Sequence, residues 1–198
     1  SSDLGLFKEY ALGGYFIIIG ALLYAWFAKN KKSVAPKKST AFGLAAQAAG
    51  LAALLGKDAV EGSYRAQIVT ATACQFTGSV DVDGHFKATE AQSHRWDYAI
   101  GISQANGHEM VCWVEPHPAS STGEVTKMLA KLDWLKKKLD TASFKKLRAM
   151  TYVSGRTGHP FYWLRTVSGE CRITAHGKEA KLLAKSGLRM PAQHLILP

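Results

Sequence analysis

The chain has 198 residues, of which 47% are hydrophobic and 20% charged, so it can bury a core and is not typical of a disordered polypeptide. Its formal net charge of +10 favours a polyanionic partner, either nucleic acid or acidic lipid. The three cysteines, Cys74, Cys112 and Cys171, form no CxxC pair, which argues against a disulfide framework and against a thiolate zinc site.

The first predicted element is a membrane-spanning helix. Residues 10–28 read YALGGYFIIIGALLYAWFA and contain no charge, and a helix of this length crosses the ~30 Å hydrocarbon layer of a bilayer. Tyr10 at one end, and Tyr24 and Trp26 at the other, have amphipathic rings that favour the membrane interface. We therefore predict a transmembrane helix within residues 1–28. The alternatives are a buried core helix and a helix that belongs to a fusion partner.

A basic linker, residues 29–40, follows this helix. Its sequence, KNKKSVAPKKST, is rich in lysine and has no apolar period, as expected of a solvated tether near anionic headgroups. Before the helix, Asp3 and Glu9 outweigh Lys8 by one negative charge. The positive-inside rule therefore predicts a single-pass membrane protein with its N-terminus outside and residues 41–198 in the cytoplasm.

Residues 41–55, AFGLAAQAAGLAALL, form a second apolar stretch. The stretch is short for a membrane crossing and is interrupted by Gln47. We predict a helix that lies on the domain or on the membrane surface. A second crossing, which would place the domain on the opposite side, is the alternative.

Hydrophobic periodicity and turn residues predict the remaining elements. In chain order they are a helix at 57–73, a strand at 74–82, strands at 96–103 and 110–114 joined through Asn106-Gly107, a helix at 121–139, a strand at 150–153, a hairpin of 161–166 with 171–174, and a helix at 178–185 that ends at Gly187. This order predicts an α/β fold in which an αβββαβ core is followed by a C-terminal β-hairpin and helix.

Two acidic residues stand at strand ends of this predicted core. Asp97 opens the second strand, and Glu115 closes the third in the triplet Glu115-Pro116-His117. With the αβββαβ order, these acids make roughly residues 58–154 resemble the PD-(D/E)XK nuclease superfamily, whose fold is that of restriction endonucleases. The resemblance implies that Asp97 and Glu115 hold a divalent metal, Mg²⁺, for phosphodiester hydrolysis.

The triplet departs from the E-x-K motif of that family, in which the lysine helps to position the attacking water. His117 stands in the place of the lysine and can ligate a metal or move a proton, but it is not a fixed cation. Lys131, on the following predicted helix, is the candidate for the missing role. The catalytic residues implied in this way are Asp97, Glu115, His117 and Lys131.

Simpler interpretations of these residues remain open at this point. Two carboxylates at adjoining strand ends can share a hard cation, which prefers oxygen ligands. Alternatively, Asp97 forms a surface ion pair with Arg95, and Glu115 only ends an edge strand. Lys131 is then one more solvent-facing lysine on an amphipathic helix.

Basic residues are concentrated in and after the predicted helix at 121–139. We predict that they bind nucleic-acid phosphates, and the candidates are Lys127, Lys136, Lys137, Lys138, Lys145, Lys146 and Arg148. Trp134 and Phe144 lie among them and are candidates for stacking on bases. The alternative is an ordinary solvated charged face.

The sequence contains no P-loop, GxGxxG or GxSxG motif, so it offers no support for nucleotide hydrolysis, dinucleotide redox chemistry or α/β-hydrolase chemistry. The hypothesis is a membrane-tethered domain that binds nucleic acid and cleaves it with Mg²⁺. The alternatives are a catalytically inactive interaction module and a small subunit of a membrane protein complex, with other membrane-protein subunits as partners.

Overall fold

The computed structural model describes residues 39–153, 159–166 and 171–198. The predicted transmembrane segment and nearly all of the predicted linker lie outside these ranges. Residues 39–198 make up one compact unit. Within the described ranges, no helix combines the length and the apolar character that a membrane crossing needs.

The described residues form helices and strands that are mixed along the chain. The helices are α1 (Ala41–Ala48), α2 (Gly62–Arg65), α3 (Val82–Phe86), α4 (Gly123–Leu139), a 3₁₀ turn (Ala142–Phe144), α5 (Lys145–Thr151) and α6 (Lys178–Ser186). The strands are β1 (Ile68–Thr70), β2 (Gln75–Asp81), β3 (Tyr98–Ser103), β4 (Glu109–His117), β5 (Phe161–Arg165) and β6 (Leu195–Leu197).

A four-stranded sheet in the order β2-β3-β4-β5 lies at the centre of the fold. The β2/β3 and β3/β4 pairs are antiparallel, and β5 runs parallel to β4. A separate pair, β1 with β6, is parallel. The predicted mixed α/β fold is therefore confirmed, with a main sheet of mostly antiparallel strands.

Each face of the main sheet is covered by its own hydrophobic cluster. On one face, Ala99 and Trp113 pack with the buried residues of α1, α4 and α5. On the other face, Ile100 and Cys112 pack with the buried residues of β1 and β6. Because side chains alternate along a strand, odd positions of β3 and β4 point toward α4. Glu115 is also at an odd position of β4, so its side chain faces α4.

Helix α4 forms where the sequence predicted the clearest helix. Its buried residues recur at spacings of three and four and face the sheet, and they are Val125, Met128, Leu132, Leu135 and Leu139. Its last turn carries three lysines, which complement the negative end of the helix dipole. The prediction of a helix at 121–139 is confirmed to within two residues.

The hairpin predicted around Asn106-Gly107 is also confirmed. Strand β3 pairs with β4 from Tyr98 opposite Val114 to Ser103 opposite Glu109. Gly107 has φ of 80°, a left-handed conformation that glycine adopts without strain. The predicted strand at 74–82 is confirmed as β2, but the expected turn at Asp83-Gly84 lies within helix α3.

The helix predicted at 57–73 is wrong over most of its length. Only Gly62–Arg65 is helical, and the β-branched run Ile68–Thr70 forms β1. This run pairs with Leu195–Leu197, a strand that the sequence analysis did not predict. Pairing of β1 with this distant strand overrides the helical periodicity of the local sequence.

Two predictions near the C-terminal half are also wrong. The strand expected at 150–153 is absent, because α5 continues through Thr151, whose hydroxyl donates to the Leu147 carbonyl. The hairpin expected between 161–166 and 171–174 does not form, since β5 pairs with β4 and residues 171–174 lie in no strand. The helix at 178–185 is confirmed as α6, which ends at Gly187.

Residues 41–55 form the short helix α1 and an extended segment. Phe42, Ala45 and Ala46 are buried against the main sheet, so α1 belongs to the core of the domain. This agrees with the expected helix on the domain and contradicts the alternative of a second crossing. The approach of α1 is close: a Cβ on Gly101 would lie 2.4 Å from Cγ of Phe42.

Substitution of Gly101 by alanine is expected to destabilise the domain. The added methyl group would overlap the Phe42 ring and the Thr77 hydroxyl, so α1 must shift away from β3. We expect Gly101→Ala to lower the free energy of unfolding by about 1–3 kcal/mol, measured by chemical denaturation of the full-length chain. Gly62→Ala is the control, because a Cβ there meets nothing within 4 Å. Equal stability of the two variants would contradict the tight α1–sheet contact.

Candidate functional site

The β3/β4 register brings Asp97 and Glu115 side by side. Tyr98 is paired with Val114, so Asp97, which precedes β3, stands next to Glu115 on the neighbouring strand. The backbone N–H of Asp97 donates to Oε2 of Glu115 over 2.9 Å. The two acids that the sequence analysis selected therefore meet at one end of the sheet, on the face that carries α4.

Lys131 of α4 completes this group. Its Nζ lies 3.2 Å from Oδ1 of Asp97 and is in direct contact with Oε1 of Glu115. The side chain of Glu115 is fully buried, whereas those of Lys131 and Asp97 are 19% and 25% exposed. We call Asp97, Glu115 and Lys131 the acid–lysine triad. The exposed surface of the triad therefore belongs to Asp97 and Lys131.

The charges of the triad perturb one another. Burial, and next the carboxylate of Asp97, raise the pKa of Glu115 well above its ordinary value. Burial also raises the pKa of Asp97, although Lys131 opposes the change. Burial alone would lower the pKa of Lys131, but the two carboxylates outweigh it and raise the pKa. One ammonium thus stands against two carboxylates, and the site has a shortage of positive charge.

His117 lies beside the triad but is bound elsewhere. Its Nε2 is 2.7 Å from Oε2 of Glu124, and its Nδ1 is 4.0 Å from Oε1 of Glu115. Burial, together with the charges of Lys131 and Lys127, lowers the pKa of His117 although Glu124 opposes the change, so the neutral imidazole is favoured near pH 7. His117 is therefore not the fixed cation of the site, and that position belongs to Lys131.

Glu124 is the residue near the site that the sequence analysis did not assign. It lies seven residues before Lys131 on α4, which is two helical turns, so both side chains project from the same side of the helix. Its second oxygen accepts from Lys127 Nζ at 3.1 Å. The seven-residue spacing between Glu124 and Lys131 was the sequence feature that could have identified Glu124.

The simpler interpretations of the acids do not agree with the geometry. Arg95 pairs with Asp83 at 2.8 Å and not with Asp97. Strand β4 lies between β3 and β5, so Glu115 is not on an edge strand. Lys131 is largely buried against the two carboxylates and is not an ordinary solvent-facing lysine.

The donor set of the triad fits a hard divalent cation. Both acids offer oxygen atoms, and their contact with one ammonium shows that these oxygens converge on a common point. In the described part of the chain, no three His, Cys, Asp or Glu side chains are placed to hold a metal together. Two carboxylates suit Mg²⁺, which keeps several waters and often takes further oxygens from a substrate phosphate.

The predicted phosphate-binding residues fall into two groups. Lys145 and Lys146 are exposed on α5, and Lys127 is 58% exposed near the triad, where it pairs with Glu124. The other candidates also have partners, although Lys137 and Arg148 are themselves 76% and 56% exposed. Lys136 donates to the Ser186 carbonyl, Lys137 pairs with Asp133, Lys138 pairs with Glu90, and Arg148 pairs with Asp140.

The two aromatic candidates for base stacking are differently placed. Phe144 is buried in the core with 2% of its surface exposed, so its predicted role in stacking is wrong. Trp134 is half-buried, and its indole N–H donates to Oε2 of Glu90. Of the two aromatic candidates, Trp134 is therefore the one with accessible surface.

No protein-family model, curated protein or solved structure matches this chain.

The raised pKa of Glu115 predicts a pH-dependent effect of Glu115→Gln. Below pH 4.5 both the folded and the unfolded chain hold this proton. As the pH rises further, the unfolded chain releases the Glu115 proton before the folded chain does. The free energy of unfolding of the wild type therefore falls until the pH passes the raised pKa of Glu115 in the folded chain. Glutamine has no such proton. In metal-free buffer, we expect Glu115→Gln to melt at a higher temperature than wild type at pH 8 and at a similar one at pH 4.

Glu124→Gln is the matched control, with the opposite sign. Burial would raise the pKa of Glu124, but hydrogen bonds from Lys127 and His117 outweigh it and lower the pKa. Its ionised form therefore stabilises the folded chain above pH 4.5, so Glu124→Gln should melt at or below the wild-type temperature at pH 8. A Glu115→Gln variant that is less stable than wild type at pH 8 would contradict the charge shortage at the triad.

Proposed function

We propose that this chain is a metal-dependent nuclease of the PD-(D/E)XK type, in which the lysine of the motif has moved from the third strand of the core to α4. Asp97 and Glu115 are the acids, and Lys131 is the lysine. The observation that carries the proposal is that Nζ of Lys131 lies 3.2 Å from Asp97 and in contact with Glu115. His117 occupies the ordinary lysine position in the sequence without taking its role.

The order of elements supports the same assignment. Helix α1 precedes the antiparallel strands β2, β3 and β4, and α4 then leads through α5 to β5, parallel to β4. If α2, β1 and α3 are left out, this is an αβββαβ order, with α1 in the place that the sequence analysis gave to residues 57–73 and β5 in the place that it gave to residues 150–153. In the family that the sequence resembles, the acids lie on the second and third strands of this order, as Asp97 and Glu115 do at β3 and β4.

The chemistry of the triad suits hydrolysis of a phosphodiester. Asp97 and Glu115 would hold Mg²⁺, which supplies positive charge beside the phosphate. Lys131 provides a second cation on a partly exposed side chain, placed to orient a water or to bind a phosphate oxygen. Hydrolysis forms a bond between the water oxygen and phosphorus and breaks the phosphorus–oxygen bond to the leaving group, while a proton from the water passes to the leaving oxygen.

Nucleic acid is the proposed substrate because the chain is basic and carries exposed lysines near the triad and on α5. Lys127 stands near the triad, and Lys145 and Lys146 are exposed on α5. Because Phe144 is buried and cannot stack on a base, we expect the domain to recognise nucleic acid through its sugar–phosphate backbone. We further propose that residues 10–28 tether the domain to the cytoplasmic side of a membrane, where other membrane-protein subunits would be its partners.

A catalytically inactive interaction module is the second candidate. The observation in its favour is that Glu115 has no exposed surface and already has two partners, the Asp97 N–H and Lys131. In this version the acid–lysine triad only locks α4 to the sheet. The two candidates differ in one measurable property, which is cleavage.

Cleavage is expected to require every member of the triad. With the full-length chain, labelled DNA or RNA and Mg²⁺ or Mn²⁺, we expect Asp97→Asn, Glu115→Gln and Lys131→Met each to lower the cleavage rate by about 10²-fold or more. Asp133→Asn is the control, because Asp133 is exposed on α4 and pairs only with Lys137 among the contacts described above. Cleavage that survives the triad substitutions would remove the proposed site.

The exposed lysines of α5 are expected to set the salt dependence of nucleic-acid binding. The double variant Lys145→Gln/Lys146→Gln should bind labelled DNA or RNA more weakly, with the slope of log affinity against log salt reduced by about 1–2. Lys181→Gln serves as a control, because it removes an exposed lysine charge that lies on α6 and outside the candidate group. An unchanged slope in the double variant would show that phosphates bind elsewhere.

A further inference from the structure

The triad contains a direct conflict between its lysine and any divalent metal. Oε2 of Glu115 accepts from the backbone N–H of Asp97, which leaves Oε1 as the oxygen available to a cation. That oxygen is in contact with Nζ of Lys131. The same ammonium also lies against Oδ1 of Asp97. A metal that bridges the two acids must therefore compete with Lys131 for the oxygens it needs.

Because of these charges, a divalent metal must replace Lys131 at the carboxylate oxygens and cannot bind beside it. Lys131 neutralises one of the two carboxylate charges, so the acids keep a net attraction for a further cation. An ammonium and a divalent ion at the same oxygens would repel each other strongly in this buried setting. The lysine side chain has a flexible four-carbon stem and is 19% exposed, so its head can swing toward solvent while the helix stays in place.

We infer that Lys131 is an internal counter-ion of the metal site, which a divalent cation displaces when it binds to Asp97 and Glu115. This inference rests on the proposed metal-dependent function. The affinity of the wild-type site for metal is then reduced by the free energy needed to remove the lysine from the acids. Displacement also frees the ammonium for a substrate phosphate only once the metal is present, so metal binding and lysine availability are coupled.

The exchange predicts that loss of Lys131 strengthens metal binding even though it abolishes cleavage. Isothermal titration calorimetry of the full-length chain with Mn²⁺ or Mg²⁺ alone, without nucleic acid, measures this directly. We expect Lys131→Met to bind the metal about tenfold more tightly than wild type or better. Lys127→Met, which removes the same charge one turn earlier on α4, should change the affinity far less, because Nζ of Lys127 is paired with Glu124.

A second measurement uses the wild-type chain and does not depend on the folding of a variant. Lysine acetylation by a water-soluble active ester, followed by peptide mass spectrometry, reports how accessible each ammonium is. Saturating Mg²⁺ should increase the acetylation rate of Lys131 several-fold, while Lys127 serves as the internal reference and stays unchanged. An unchanged or slower reaction at Lys131 would overturn the exchange.

The outcomes separate this inference from the proposed function. If wild type cleaves nucleic acid with metal but Lys131→Met binds metal no more tightly, the exchange is wrong and the nuclease assignment stands. If Lys131→Met binds metal tightly and wild type shows no cleavage, the exchange is supported and the nuclease assignment fails. If neither chain binds metal, both are overturned.

Discussion

The end of the sheet is organised around a glutamate that has no contact with water. A buried carboxylate is costly unless it is hydrogen-bonded and faces a cation, and the Asp97 N–H and Lys131 offset part of that cost for Glu115. Glu115 belongs to β4, Asp97 directly precedes β3, and Lys131 belongs to α4. The packing of α4 on the sheet therefore cannot change without leaving charge unpaired in the interior.

This requirement also constrains the strand register. A slip of one residue between β3 and β4 would move Glu115 to the opposite face, away from α4 and among the side chains of the β1/β6 layer. It would also separate Asp97 from its acceptor. The hairpin at Asn106-Gly107 and the close approach of α1 to Gly101 hold the register from the other end of the strands. The fold and the candidate site are thus specified by the same contacts.

The sequence predicted the parts of the site that depend on local order. The apolar period of α4, the hairpin turn and the positions of Asp97 and Glu115 are all visible within residues 96–139. The contact of Lys131 with both acids was harder to see, because it depends on the distance and rotation of α4 over the sheet. Glu124 was missed for a similar reason, since its spacing from Lys131 places it on the same side of α4 but does not show that it reaches His117.

The errors in the fold come from pairings between distant segments. Strand β1 was predicted as helix because its partner, β6, lies far along the chain. The strand expected at 150–153 proved to be helical, and β5 took the place beside β4. That parallel pairing cannot be inferred from a turn, since parallel strands need a long crossover.

The pairing of β1 with β6 has a consequence for how the protein is made. Ile68, Ile100 and Leu197 belong to one hydrophobic cluster, yet β6 follows every other described element along the chain. During synthesis, β1 and one face of the central sheet leave the ribosome well before the strand that completes their cover. Until β6 is synthesised, these apolar side chains are exposed to water. The nascent chain is then most prone to aggregate, and a chaperone that binds it would be most effective during this interval.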